Sequence, residues 1–292
     1  MTQSYVCWGE ILWDLFPDGR QLGGAVANVA YHLAALGAPV RLISRVGDDE
    51  LGHEAIARFT ELGADPSLIQ LDAHRQTGVV KVCLDSSEPR YSLEPGRAWE
   101  AIECTAEAMA GVADAAAFCY GTLSQRLPPS REPFVRMLRA LPQSCVRFCD
   151  PNLRPHHIDT SLLELSLRSA DVVKLNDVEA GHLAGAFGVA DVIAWLLDTM
   201  AVRMVALTRG PAGSRLITAD AAHDHPGFAA SSDGDNVGAG DAYLAALIWH
   251  VIAGSSLARA NTAANRYGAF IASNRGATPP LPQDLRDELT AP

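Results

Sequence analysis

Asp233-Gly-Asp-Asn-Val-Gly-Ala-Gly-Asp241 runs straight into an apolar stretch, Ala242 to Val251. Three small residues, Gly238, Ala239 and Gly240, stand between the acids Asp235 and Asp241. Glycine reaches backbone angles closed to other residues and lets a ligand come close. A helix starting near Ala239 has first-turn amides with no partner inside the helix. Those amides, at the positive end of the helix dipole, make an anion site. An acid in that turn repels a bound phosphate, and its presence makes sense if it takes a proton from an attacking hydroxyl. The plainer alternative is a glycine turn before a core helix, with Asp241 favourable at the helix N-terminus. These nine residues do not choose between the two.

Around this stretch, apolar runs and breakers alternate as strand and helix. Tyr5–Phe16 reads as one or two strands interrupted near Gly9-Glu10, and Pro17-Asp18-Gly19 as a turn. Gly23-Gly24 precedes a helix over Ala25–Leu36, ended by Gly37 and Pro39; Val40–Val46 is a strand and Gly52–Leu62 a helix. Further on come strands at Ala115–Tyr120, Val146–Cys149, Val172–Leu175, Val202–Thr208 and Ser214–Ile217. Between and after them lie helices at Pro133–Leu141, Ser161–Leu167, Val178–Ala184, Val189–Thr199, Ala242–Ala253 and Ser256–Ser273. This alternation predicts an α/β fold with a mostly parallel sheet. Thr77–Leu84 and Arg90–Leu93 depart from it, being two strands with no helix between them. They form either an edge hairpin of the main sheet or, with the strands near Leu12–Phe16, a lid over a site.

Composition narrows the function classes. The chain has 292 residues, 48% of them hydrophobic, enough for one large domain or a core with a small appendage. No apolar run reaches the length of a membrane span, and no basic region leads into an apolar stretch at the N-terminus, so a cytoplasmic protein is expected. A net charge of −11 argues against nucleic acid or an anionic membrane as partner. The six cysteines have no zinc-site spacing. Cys7, Cys83, Cys119 and Cys149 read as small buried hydrophobes in a reducing compartment, and His156-His157 as a solvated loop. Lysine occurs only at Lys81 and Lys174, which leaves arginine as the main cation.

Several short motifs carry polar chemistry. Gly23-Gly24-Ala-Val-Ala-Asn28 places Gly24 and Asn28 one turn apart at a helix start, an arrangement able to hold a polyol. Asn176-Asp-Val-Glu179 has the spacing of a capping box, and Glu179 also suits a hydrated Mg2+. Thr208-Arg209-Gly210, followed by Gly213, is a turn able to approach a nucleotide phosphate. In such sheets ligands bind beyond the carboxyl ends of the strands, where Asp150–Arg154, Asn176–Glu179 and Thr208–Gly213 all fall. No Walker loop is present, Tyr243 spoils a dinucleotide fingerprint, and Ser124 and Ser130 lack a nucleophile-elbow context.

Gly23-Gly24-Ala25-x-x-Asn28-x-Ala30 with Leu33, Leu36 and Gly37, then Ser44-Arg45-Val46-Gly47-Asp48-Asp49-x-x-Gly52, and finally Asp235-Asn-Val-Gly-Ala-Gly-Asp241, resemble the signatures of the ribokinase-like sugar kinases, the PfkB family. Gly9-Glu10…Asp14 and Asp150-x-Asn152-x-Arg154 resemble its fructokinase branch. The resemblance covers essentially the whole chain. It implies a ribokinase-like three-layer α/β/α sandwich, a single domain over 1–292, with a mostly parallel central sheet and a small β lid from about 10–22 and 77–100. It further implies an ATP-dependent sugar kinase, a fructokinase first. Alternatives are a kinase of another small polyol (nucleoside, 2-keto-3-deoxygluconate, ribose or aminosugar) or a non-catalytic sensor of sugar or nucleotide.

By that resemblance Asp241 is the base, and the amides of Gly238, Ala239 and Gly240 form the anion hole. Asp14, Gly24, Asn28 and Arg154 hold the sugar. Asn176 and Glu179 serve Mg2+ and phosphates, Glu179 through water. Thr208, Arg209, Gly210 and Gly213 line the nucleotide site, with Asn265 near the adenine. A monovalent cation such as K+ is implied near Asp235 and the Gly276-Ala277 loop, and a homodimer through the lid. Three positions depart from the family: Asn236 stands where Thr is usual, Asp233 is extra, and Pro280 replaces a frequent Ser.

Overall fold

Strand β1 (Ser4–Trp8) is buried along its whole length, and its side chains alternate between two cores. Tyr5 and Cys7 join one apolar cluster, Val6 and Trp8 the other. That is the pattern of a central strand with helices on both faces, because period-two alternation sends neighbouring residues to opposite layers. The computed structural model describes residues 4–16, 19–83, 90–153 and 159–291. Arg154, His156 and His157 lie outside the described residues.

After β1 come β2 (Leu12–Phe16), β3 (Gly19–Gly23), α1 (Ala25–Leu36), β4 (Val40–Gly47), α2 (Glu50–Glu61) and β5 (Ile69–Asp72). Next are β6 (Gly78–Cys83), β7 (Arg90–Leu93), α3 (Ala106–Gly111), β8 (Ala115–Tyr120), α4 (Pro128–Ala140) and β9 (Val146–Cys149). Then follow α5 (Thr160–Arg168), β10 (Val172–Asn176), α6 (Asp177–Phe187), α7 (Val192–Asp198), β11 (Met204–Thr208), β12 (Ser214–Ile217) and β13 (Ala222–His225). The chain closes with α8 (Ala239–Ile252), α9 (Leu257–Ala272) and α10 (Gln283–Thr290).

The main sheet has nine strands in the order β13-β12-β11-β10-β9-β8-β1-β4-β5. It is parallel from β11 to β5, while β12 and β13 turn back antiparallel. Helices α1, α2, α8, α9 and α10 send buried residues into one core, and α3 to α7 into the other. The expected three-layer α/β/α sandwich is therefore present. Among the described residues no single helix is long and apolar enough to cross a membrane. Cys7, Cys119, Cys145 and Cys149 are buried and free, as small core residues.

β6 and β7 do not add an edge to the main sheet. β6 pairs parallel with β2, which pairs antiparallel with β3, and β7 pairs antiparallel with β6. The result is a separate four-stranded sheet, β3-β2-β6-β7. Its junction with the main body is fastened by one carboxylate. Asp49 caps α2, its Oδ1 accepting the Gly52 amide at 2.8 Å, and also accepts the Thr77 hydroxyl at 2.6 Å and the Thr77 amide at 2.8 Å. Thr77, fully buried, in turn accepts the Gly47 amide at 2.9 Å. The Asp-x-x-Gly spacing thus ties a helix start to the strand that enters the second sheet.

Other boundaries moved for local reasons. α4 starts at Pro128 rather than Pro133, since two prolines suit the first turn and Leu127 O receives the amides of Ser130 and Arg131. α7 starts at Val192 rather than Val189, because Asp191 caps it by accepting the amides of Ile193 and Ala194 at 3.0 Å. β3 falls at the end of the expected lid segment 10–22, while β5, β13, α3 and α10 stand where the sequence predicts no element; they are short, and β13 is mostly polar.

Asp49→Ala removes the helix cap and strands the buried Thr77 amide, so it should lower stability by about 2–3 kcal/mol. Urea unfolding measures this; a loss under about 0.5 kcal/mol would show that the junction does not depend on Asp49.

Candidate active site

The main sheet divides at β1, which has β4 on one side and β8 on the other. Ligand crevices in open α/β sheets form outside the carboxyl ends of strands at such a division. A cavity of about 360 Å3 lies there. Its wall includes Glu10 beyond β1, Tyr120, Gly121 and Thr122 at the end of β8, Asp150 and Asn152 beyond β9, and Lys174 and Asn176 on β10. The starts of α1, α6 and α8 contribute Gly24, Glu179, Gly238 and Gly240, and the second sheet covers it with Leu12, Asp14, Val80 and Leu93.

The opening motif of α8 is shaped by two left-handed residues. Gly238 is the N-cap at φ 77°, and a Cβ there would lie 2.8 Å from Ala277. Asn236 sits at φ 59°, a region open to Asn and strained for β-branched residues. The first helical bond is from Ala242 N to Gly238 O, at 2.9 Å, so the amides of Gly240 and Asp241 precede it. Ala239 differs from expectation: its amide donates back to Asn236 O at 3.3 Å, and it does not line the cavity.

Asp241 reaches into the cavity from the first turn of α8, where Asn28 donates to its Oδ2 at 2.8 Å. Burial pushes its carboxyl up to about 7; the Asn28 bond and Lys174 pull down, while Asp150 and Glu10 push up. Asn28 is placed by α1, whose N-cap Gly24 takes φ 104°. A Cβ on Gly24 would strike the Glu10 carbonyl, and one on Gly23 the Asp14 carboxylate. The double glycine therefore makes room for the main chain beyond β1 and for the Asp14 carboxylate. Glu10, buried, accepts the Ala25 amide at 3.1 Å.

On the far wall Lys174 Nζ donates to Asp150 Oδ2 at 2.6 Å, both side chains only 8% exposed. Burial alone would lower the lysine's proton affinity, but Asp150 and Glu179 hold it above the usual lysine range. Glu179 completes the capping box, accepting the Asn176 amide at 2.9 Å while Asn176 Oδ1 accepts its own amide at 2.9 Å. Its other oxygen accepts the Leu153 amide at 2.9 Å. Burial and Asp150 raise its carboxyl.

The remaining expected residues are distributed unevenly. Asp14, Gly24, Asn28, Asn176, Glu179, Asp235, Gly238, Gly240 and Asp241 meet around the cavity. Thr208, Arg209, Gly210 and Gly213 stand at the end of β11, beside Asn176 in register, outside that lining. Arg209 there pairs with Asp224 at 3.2 Å. Asn265 departs most: its amide donates inward to Ser214 Oγ at 2.7 Å and Asn261 Oδ1 at 3.0 Å, clamping α9 to β12. Asp235 ties two loops, accepting the Val237 amide at 3.1 Å and the Gly276 amide at 2.8 Å. Glu10, Asp150 and Asn152, quoted from sequence as motif residues without individual roles, line the cavity, and Thr122 and Lys174 join them unassigned. The one signal for Lys174 was a lysine inside the apolar strand Val172-Val-Lys-Leu.

The profile of the pfkB family carbohydrate kinases matches residues 18–284. A fructokinase-1 of Oryza sativa subsp. japonica is 29% identical over 311 residues, covering 97% of this chain and 96% of the relative. The crystal structure of a fructokinase with bound ATP from Xylella fastidiosa superposes with a TM-score of 0.89 at 23% identity, over 99% of this chain and 98% of that one. An aminoimidazole riboside kinase from Salmonella enterica, complexed with aminoimidazole riboside and an ATP analogue, superposes with a TM-score of 0.79 at 23% identity, over 98% and 100%. At such identities the two structures establish the fold.

A carboxyl raised to about 7 in the folded chain, from its ordinary 3.8, holds its proton more tightly when folded. Its ionisation therefore weakens folding progressively as pH rises through that window and stops doing so above it. Asp241→Asn should melt above wild type at pH 8, and the gap should close as pH falls toward 4. A gap independent of pH would mean that the carboxyl is not raised.

Proposed function

The chain belongs to the pfkB family of carbohydrate kinases, and we propose that it transfers the γ-phosphoryl group of ATP to a hydroxyl of a small sugar, fructose first. The observation that carries this reading is the meeting of Asn28 and Asp241 at 2.8 Å in the first turn of α8. A carboxyl with proton affinity near neutrality stands beside the amides of Gly240 and Asp241, which precede the first helical bond of α8 and suit an anion, the pairing that phosphoryl transfer to an alcohol requires.

In the proposed step the hydroxyl oxygen bonds to the γ-phosphorus as the bond from that phosphorus to the β,γ-bridging oxygen breaks. ADP leaves with the electron pair, and the hydroxyl proton passes to Asp241. Asn28 occupies Oδ2 of Asp241, which leaves Oδ1 for that proton. Asp14, Gly24 and Asn28 hold the sugar under the second sheet, with Arg154 assisting. The roof of Leu12, Val80 and Leu93 keeps water from competing for the phosphoryl group.

Mg2+ fits this donor set as a companion of the nucleotide. Among the described residues no three His, Cys, Asp or Glu side chains cluster to hold a metal. Mg2+ keeps several waters and binds through one or two carboxylates plus substrate phosphates. Glu179 and Asn176 would hold it through water, since both Glu179 oxygens already accept amides. Bound there it supplies charge neutralisation on the phosphates. Thr208, Arg209, Gly210 and Gly213 extend the site toward the rest of the nucleotide. At Asp235 the loop-to-loop tie accounts for the residue without a monovalent cation. Fructose is favoured by the relative named fructokinase, which matches nearly end to end.

ADP release measured over fructose, ribose, ketodeoxygluconate, nucleosides and aminosugars tests the reading; silence across the panel would end it. Asp241→Asn should lower kcat by about 10²–10⁴ and still bind nucleotide. Wild-type kcat/KM should climb about tenfold per pH unit up to about 7, as Asp241 loses its proton, and then level.

Asn28→Ala removes a bond that favours the carboxylate, so the break in that profile should move to higher pH. An unmoved break would show that Asn28 does not bear on the base.

A further inference from the structure

The cavity carries an imbalance of charge. Glu10, Asp14, Asp150, Glu179, Asp235 and Asp241 line it, and against these six acids Lys174 is the only basic side chain among its described lining residues. Backbone amides absorb part of the acid, as at Glu10, Glu179 and Asp235. A phosphoryl group arriving beside Asp241 nevertheless enters a region of negative potential, and fixed positive charge near the transfer point matters there.

Lys174 is placed to supply it. β10 carries its side chain to the cavity from the strand next to β9, and Asp150 beyond β9 tethers Nζ at 2.6 Å. An ammonium has three donors, and this tether uses one. On its other side Nζ abuts the first turn of α8: a Cβ on Gly240 would stand 3.2 Å from it. Gly240 lacking a Cβ thus lets a buried ammonium approach the same turn whose amides face the cavity. Burial makes the charge count, since little water screens it. A buried pair serving stability alone is a poor explanation, because an apolar pair of similar volume does as well or better.

We propose that Lys174, held by Asp150 beneath Gly240, is a catalytic residue that donates to the phosphoryl group during its transfer. This rests on the phosphotransferase reading. The charge that develops on the transferring and bridging oxygens is then met by the Lys174 ammonium from the sheet side and by the α8 amides from the helix side. The reaction is otherwise unchanged, with the proton passing to Asp241 and Lys174 keeping its own.

The test uses wild type, Lys174→Gln, which keeps a donor toward Asp150, and the double variant Lys174→Met/Asp150→Asn, which leaves no unpaired buried charge. Turnover, sugar KM, melting temperature and affinity for Mg-ADP-fluoroaluminate with sugar present are measured for each. Both variants should lose about 10²–10³ in kcat, with sugar KM within about threefold of wild type. Affinity for the fluoroaluminate complex should fall by a comparable factor, while affinity for ADP alone changes far less. A folded variant of either kind with wild-type kcat would overturn the assignment and leave the kinase reading standing. A wild type that phosphorylates no sugar would instead remove the kinase reading, and this assignment with it.

Discussion

Asn28 and Asp241 are 213 positions apart and meet at 2.8 Å. That bond constrains much of the molecule. It requires α1 and α8 to start at one place, above the carboxyl ends of the strands, and it requires their flanks to pack along one another. The apolar faces do the second part: Val26, Val29, Ala30 and Leu33 of α1 share a core with Ala242, Leu244, Ala245 and Ile248 of α8. Burial of those side chains supplies the free energy, at roughly 25 cal/mol per Å2 of apolar surface. The starting points are set by glycine, at Gly24 with φ 104° and Gly238 with φ 77°.

The acids of the cavity divide by what they hold. Glu10, Glu179 and Asp235 each accept backbone amides and so fasten a turn to a helix start or to another loop. Asp150 holds the Lys174 ammonium. Asp241 is instead held by a neutral side-chain amide, which orients it without cancelling its charge. Of these acids it is the one whose environment brings proton affinity to about 7. The same residue type thus serves as clasp or tether, or keeps a raised proton affinity, according to its partner, and the partner is a matter of three-dimensional placement.

Fold class and the main motifs were legible because they rest on local rules. Period-two and helical spacing marked the central strands and α1, α8 and α9, and the glycine pairs marked where helices begin. The plain and the functional readings of Asn176–Glu179 both had a basis, since the box caps α6 and its glutamate also lines the cavity. β13 escaped because Ala-His-Asp-His has no apolar alternation, its place secured by pairing with β12. Lys174 escaped because a lysine in an apolar strand acquires meaning only once Asp150 and Gly240 stand beside it. For Asn265 too the sequence is silent about partners: Ser214 and Asn261 decide what its amide does.

By itself, then, the sequence determined the alternation of strand and helix, the turns where only glycine fits, and the residue types available at each strand end. These follow from backbone sterics and hydrophobic periodicity, which act over a few residues. The tertiary structure alone decided which carboxylate has its proton affinity raised toward neutrality, which lysine stands against Gly240, and that the Thr77 strand enters a separate sheet over the cavity rather than the edge of the main one. Those properties depend on burial, on distances between residues far apart in the chain, and on charges from several elements summed at one point.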